Sequence, residues 1–244
     1  MTSTRGAAVL ALAFVAGLAA SAPAQTAGYT AALAGVRGTY PGERVDSVYV
    51  FHTVDVAGGP MRASVTVPWI RMESTPAAGA ASATVSGFGD PLLRADVRVV
   101  DRPYALQVSL AGAVKAPLVD AATGRGTGEV DVAGGINILT VVSRTSLMAD
   151  VLAWKIGDPP DVDYTDAVSY SVGVAHTFGA GRWSALSSLS GSSAGIGDLS
   201  PPVALTIGAL AVVGRRHSVV GSVSLGLTDG ASDVSAGVSW RVAR

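Results

Sequence analysis

The stretch Ala167-Val168-Ser169-Tyr170-Ser171-Val172-Gly173-Val174-Ala175-His176-Thr177-Phe178 decides how the chain folds. Its even positions carry Val168, Tyr170, Val172, Val174, His176 and Phe178, and its odd positions carry Ala, Ser, Gly and Thr. A period of two is the mark of a strand whose faces meet different surroundings. The same split recurs at Val219, Val223, Leu225 and Leu227 against Ser218, Ser222, Ser224 and Thr228. It returns at Val234, Val238, Trp240 and Val242 against Ser235, Ser239 and Arg241, and at Leu106, Val108, Leu110 and Val114 against Gln107, Ser109, Ala111 and Lys115. A soluble β-sandwich also alternates, but its outer face needs Lys and Glu. This polar face is small and hydroxylic, and the whole chain holds two lysines, Lys115 and Lys155. An inverted barrel, apolar toward lipid and polar inside, fits that chemistry better.

Composition agrees. The 244 residues are 49% hydrophobic and 14% charged, with 30 glycines, no cysteine and a formal charge of −1; the mean hydropathy is +0.43. Such a chain is too apolar for disorder and too rich in Gly for a coiled coil. Without a basic stretch it has no footprint for nucleic acid. Without Cys it has no zinc ribbon, disulfide framework or thiol nucleophile. Beyond the N-terminus the longest apolar run, Val203 to Gly214, is too short to span a bilayer as a helix. Residues 1–24 read as a secretory signal peptide: Arg5, an apolar run from Ala7 to Ala20, and Ala22-Pro23-Ala24 before the cut. Residues 25–244 are then a single domain.

Short connections fall at Ala57–Pro60, Asp101–Pro103, Ser143-Arg144, Gly179–Arg182 and Gly214–His217. Longer ones run from Glu73 to Gly87, Leu118 to Gly128, Gly157 to Thr165 and Gly195 to Pro202. Alternating short and long turns predict an all-β, antiparallel up-and-down transmembrane β-barrel with short turns periplasmic. Eleven strands follow Val45, and Tyr29–Thr39 supplies a twelfth before the turn Tyr40-Pro41-Gly42-Glu43; ten is the alternative if two weak strands fail. Tyr104, Trp183, Phe178, Trp69 and Trp154 stand near strand ends, where interface girdles are expected.

Arg94, Asp96 and Arg98 share one parity opposite Leu93, Ala95 and Val97. An Arg facing lipid at the midplane costs about 2–4 kcal/mol, so this row is expected to point into the lumen. Lys115 and Gln107 share a face, and Lys115 is expected to meet a carboxylate across the hairpin, where Glu129 and Asp131 open the returning strand. Asn137 and Asp150 continue the polar lining. The pore-lining set is therefore Arg94, Asp96, Arg98, Gln107, Lys115, Glu129, Asp131, Asn137 and Asp150, read either as a charged constriction or as a plug of ion pairs. The acidic loop Asp158, Asp161, Asp163 and Asp166 lacks an EF-hand pattern and reads as a solvated turn. Gly124–Gly128 has no helix behind it to complete a phosphate cradle. His176 and His217 fall at membrane-interface positions, and His52 has Asp55 only at opposite parity, so no catalytic pair is expected and no cofactor is called for.

Three segments carry a resemblance: Val67-Pro68-Trp69-Ile70-Arg71; Ser86-Gly87-Phe88-Gly89-Asp90-Pro91-Leu92; and Lys115-Ala116-Pro117-Leu118 followed by Gly126-Thr127-Gly128-Glu129-Val130-Asp131. Together they resemble the phenol-degradation meta-pathway outer-membrane proteins over roughly Arg44 to Ile138, with Phe88 where that family carries Leu. The resemblance implies a small barrel in the bacterial outer membrane that passes small hydrophobic or aromatic solutes. Outer-membrane lipid and small solutes are then its partners, and nucleic acid is not. The alternative is a closed structural or binding barrel whose loops contact a partner.

Overall fold

The computed structural model describes residues 26–77, 80–102, 105–159, 164–195 and 199–244. The proposed signal peptide, Tyr104, Asp161 and Asp163 lie outside these residues. Thirteen strands follow in order: β1 (Thr26–Tyr40), β2 (Glu43–Gly58), β3 (Met61–Pro76), β4 (Ala83–Phe88), β5 (Leu92–Arg102), β6 (Leu106–Lys115), β7 (Asp131–Val142), β8 (Thr145–Lys155), β9 (Ala167–Phe178), β10 (Trp183–Ser192), β11 (Val203–Val212), β12 (His217–Gly226) and β13 (Val234–Ala243). Each pairs antiparallel with its neighbours, β1 pairs with β13, and the sheet closes on itself. β4 and β5 are two halves of one stave. β4 pairs with Trp69–Ser74 of β3, and β5 pairs with Met61–Thr66 of the same strand. The barrel therefore has twelve staves, with the first and last strands starting and ending at the same rim. The ten-strand alternative is excluded.

Closure leaves no open edge, as a hydrocarbon solvent would require. In hydrocarbon an unpaired N–H or C=O costs several kcal/mol, so a spanning sheet cannot keep an open edge. Packing carries the same message: among the described residues no large side chain is fully buried, and the buried apolar set is small, mainly Ala63, Ala111, Ala113, Ala116, Leu93 and Leu152. Val172, Ile207, Val223, Val238, Ile136 and Val54 instead stand exposed on the outer wall. A sandwich would hide these side chains between its sheets. Phe178 and Trp183 face outward opposite each other at the rim of the short turns, as a girdle requires.

Short turns between strands use left-handed backbone, Gly59 at φ 56° between β2 and β3 and Ser143 at φ 57° between β7 and β8. Two sequence expectations change. The connection expected from Glu73 to Gly87 shrinks, because alternation continues through Thr75 and resumes at Ala83, leaving only 77–82 between β3 and β4. Trp154, expected in a girdle, points inward opposite Ala133 and donates its indole N–H to Ser169 Oγ at 2.9 Å.

Candidate functional site: the barrel lumen

Register fixes the inward face. Arg94, Asp96 and Arg98 pair with Ala113, Ala111 and Ser109 of β6, which in turn oppose Ala133, Gly135 and Asn137 of β7. Asn137 opposes Asp150 of β8. Arg94 is the hub of this face: its guanidinium donates to Asp96 at 3.0 Å and to Asp150 at 2.7 Å, and Asn137 Nδ2 approaches Asp150 at 3.4 Å. Arg98 pairs with Asp101 at 2.8 Å and also donates to the Gly59 carbonyl. Lys115 meets Asp131 at 2.6 Å and Thr127 Oγ1 at 2.6 Å. Gln107 shares the inner face opposite Leu139, whereas Glu129 sits in the β6–β7 connection, two residues ahead of β7.

A second ion-pair group escapes sequence reading. Asp55, only 3% exposed, lies under Arg241, whose two terminal nitrogens reach its two oxygens, one at 2.8 Å, while Arg62 stands 3.7 Å away. Asp55 is on β2 and Arg241 on β13, so the pair crosses over β1 at the closing seam. It passes directly above Gly28, where a Cβ would stand 2.8 Å from Asp55 Oδ1 and would collide with the guanidinium. Period-two parity marks both residues as inward, but it cannot say that positions 186 apart meet.

The lumen is not polar throughout. Val45, Tyr49, Phe51, Pro68, Ile70 and Met72 all point inward from β2 and β3. The Tyr49 and Phe51 rings stack with centroids 5.7 Å apart and an interplanar angle of 3°. The sequence signal was the loss of alternation: Val48-Tyr49-Val50-Phe51 is apolar at every position, which in a barrel means grease on both faces. Three cavities adjoin along the lumen. One of about 630 Å³ at the mouth that carries the long connections is lined by Val36, Val45, Tyr49, Met72 and Leu199, with Glu43 and Ser47 beside them. It shares Val36, Gly230 and Ser232 with a second of about 570 Å³, whose wall is largely hydroxyls, Ser169, Ser171, Ser190, Ser224 and Ser235. That one shares Asp150 and Ser171 with a third of about 720 Å³, lined by Arg62, Arg94, Asp96, Arg98, Gln107 and Asn137. From that mouth inward the order is mainly apolar, then hydroxylic, then charged.

The three motif segments converge around the break between β4 and β5. Phe88 pairs with Trp69, and the Gly89 amide donates to the Pro68 carbonyl at 2.9 Å. Gly87 has φ 138°, and Arg125 of the β6–β7 connection donates to the Phe88 carbonyl at 3.0 Å. Asp90, 8% exposed, accepts the Val119 amide at 2.9 Å, and Gly126 lies so close that a Cβ there would strike its carboxylate. The Gly-rich segment of that connection is thus a packed strap rather than a phosphate cradle.

All three histidines face outward beside an aromatic ring. The Tyr29 hydroxyl and His52 Nδ1 lie 2.7 Å apart, His176 stacks on Phe178, and His217 stacks on Trp240 at 5.7 Å. In the acidic loop, Asp158 accepts the Tyr164 amide at 2.8 Å. Asp166 accepts the Ile156 amide and pairs with Lys155, contacts that hold its carboxyl below the usual carboxylate range. Among the described residues no group of three or more His, Asp or Glu side chains is placed to hold a metal ion.

Solved structures share the architecture. An outer membrane channel from Pseudomonas putida F1 superposes with a TM-score of 0.72 at 10% identity, over 91% of this chain and 96% of that one. The CymD monoaromatic hydrocarbon channel gives 0.51 at 8% identity, over 95% and 91%. The β domain of the Bordetella autotransporter BrkA gives 0.58 at 12% identity, over 90% and 99%. At these identities the likeness is one of fold. No curated relative matches the sequence. The family assignment rests on the sequence itself, which matches over residues 21–242, nearly its whole length: the chain belongs to the family described as "Putative MetA-pathway of phenol degradation".

Proposed function

We propose that this barrel is a non-enzymatic channel of the bacterial outer membrane for passive entry of small hydrophobic and aromatic solutes. The observation that carries the reading is the apolar inner wall at the mouth, where stacked Tyr49 and Phe51 stand with Val45, Ile70 and Met72. Apolar side chains offer an ion no hydrogen bonds to replace those of its water shell, so such a wall favours an uncharged solute with an apolar face. Flat stacked rings suit a flat solute, and the hydroxyl-lined cavity beneath admits a phenolic or alcoholic group. Two of the similar structures are channels, one of them for monoaromatic hydrocarbons, which supports the same reading. Arg94, Asp96, Arg98, Gln107, Asn137 and Asp150 line the inner part of the route, with Lys115, Glu129 and Asp131 at the β6–β7 connection nearer its mouth. Each lysine and arginine in this set has a carboxylate partner within 4 Å, so the passage is close to neutral and presents little barrier to an uncharged solute.

The test is uptake of a dilute neutral monoaromatic by cells that depend on this channel. Replacing Tyr49 and Phe51 together with Ser is expected to slow uptake several-fold while leaving ion conductance undiminished. Unchanged uptake in that variant would remove the apolar wall from the route.

A further inference from the structure

Register aligns the outward side chains of β13, β1, β2 and β3 into rows. One row, Val238, Leu33, Val50 and Trp69, with Phe88 of β4 beyond it, is wholly apolar. The next row toward the extracellular rim is Ala236, Gly35, Val48 and Arg71, and the one above it is Val234, Arg37, Asp46 and Glu73. Ala236 and Gly35 are adjacent and small, and a Cβ at Gly35 would touch nothing within 4 Å. They floor a depression of about 490 Å³ bordered by Arg37 and Arg71. Arg37 and Arg44 are more than half exposed and share one carboxylate, Asp46. Arg71, also exposed, has no ion-pair partner among the described residues. Elsewhere among the described residues the outward strand faces carry only Lys155, tied to Asp166, and Arg102 at the end of the short turns. Three guanidiniums thus stand against Asp46 and Glu73, on one side of the barrel, directly above an apolar band that ends in Trp69 and Phe88.

A guanidinium just above the apolar band sits at headgroup level, where its forked N–H groups match phosphate oxygens. Small residues below it leave room for a hydrocarbon chain against the wall. The end concerned carries the long connections and so faces the cell exterior. We propose that this groove binds a phosphorylated glycolipid of the outer leaflet, one acyl chain lying over Gly35 and Ala236 and one phosphate held between Arg37 and Arg71. The inference rests on the outer-membrane placement proposed above but is independent of what the lumen passes.

The probe is a purified diphosphoryl, multiply acylated glucosamine disaccharide lipid, added to the full chain in mild detergent and followed by native mass spectrometry. Its fully dephosphorylated form, phosphatidylglycerol and inorganic phosphate are the comparators. The diphosphoryl lipid is expected to be retained in preference to the others. Retention is expected to fall roughly ten-fold or more when two charge-assisted contacts are lost in the Arg37→Gln/Arg71→Gln variant. Gly35→Leu, which fills the groove without touching a charge, is expected to weaken retention as well, with heat-modifiable gel migration confirming that both variants fold. Undiminished retention in both variants, equal retention of the dephosphorylated lipid, or displacement by inorganic phosphate alone would each overturn the proposal. Recovery of the protein from the aqueous rather than the membrane fraction would instead sink the membrane placement on which it rests.

Discussion

Replacing Arg94 with Ala removes the cation that holds Asp96 and Asp150 together at 3.0 and 2.7 Å. Asp150 lines both the hydroxyl-walled and the charged cavity, so the change falls where the two meet. Two consequences can be separated. The carboxylates are about one-fifth exposed, so losing their partner costs less than the 3–5 kcal/mol of a fully buried pair; about 1–3 kcal/mol is the expected loss of stability. The lumen also becomes one charge more negative. An ion passing about 4 Å from an unpaired carboxylate in a water-like lumen feels roughly 1 kcal/mol, favourable for a cation and unfavourable for an anion, so about five-fold for each and up to about thirty-fold in the preference for cations over anions. The assay is reversal potential across a planar bilayer under a KCl gradient. Cation selectivity and conductance should both rise at low salt. The selectivity gain should shrink near 1 M KCl, where screening acts within about 3 Å. Asp150→Asn should shift selectivity the opposite way. Unaltered selectivity in both variants at low salt would refute the placement of Arg94 and Asp150 on the conducting path and leave the cluster a structural plug.

Gly28→Val should lower the temperature at which the folded band is lost on a gel, because its side chain would enter the space occupied by Arg241 and Asp55; a loss approaching 3–5 kcal/mol is expected if the pair breaks, about as for other buried pairs. An unshifted transition would show that the seam does not depend on that pair. Asp90→Ala removes the acceptor of the Val119 amide from a buried position, which should cost about 1–3 kcal/mol locally and expose 116–130 to protease while the rest of the barrel stays resistant. Equal cleavage in wild type and variant would count against the strap. The Asp166 carboxyl is held below its ordinary value of 3.8, first by the Ile156 amide and then by Lys155. A lowered pKa means the contact is intact above the ordinary value and lost as pH falls through the folded one. The Ile156 amide resonance should therefore titrate with a midpoint below 3.8; a midpoint at or above that value would contradict the contact.

Period two made much of this molecule readable in one dimension. The alternation at Ala167–Phe178 is β9 with its even face on the outer wall, and the parity of Arg94, Asp96 and Arg98 places them inward. It fails where a strand is apolar on both sides. Tyr49 and Phe51 carry no face label in Val48-Tyr49-Val50-Phe51, and Trp154 follows Ala153 with nothing to say which of the two meets lipid. Partner choice was also out of reach. Lys115 finds Asp131 across one hairpin, a local event that strand pairing anticipates. Arg241 and Asp55 meet only because the barrel closes, and closure is a property of the whole sheet. The residues of the β4–β5 break could be recognised by their likeness to a family, but their physical sense, Asp90 and Phe88 receiving the β6–β7 strap, comes from the fold.

An apolar-mouthed barrel is expected to speed uncharged aromatic solutes across a membrane whose glycolipid leaflet slows them. Flux of a neutral monoaromatic into vesicles with a glycolipid outer leaflet, with and without the barrel, measures this directly. Faster entry with wild type and slower entry with the Tyr49→Ser/Phe51→Ser variant is the expected result. Entry no faster than into protein-free vesicles, from a barrel whose folding is confirmed by gel migration, would contradict it.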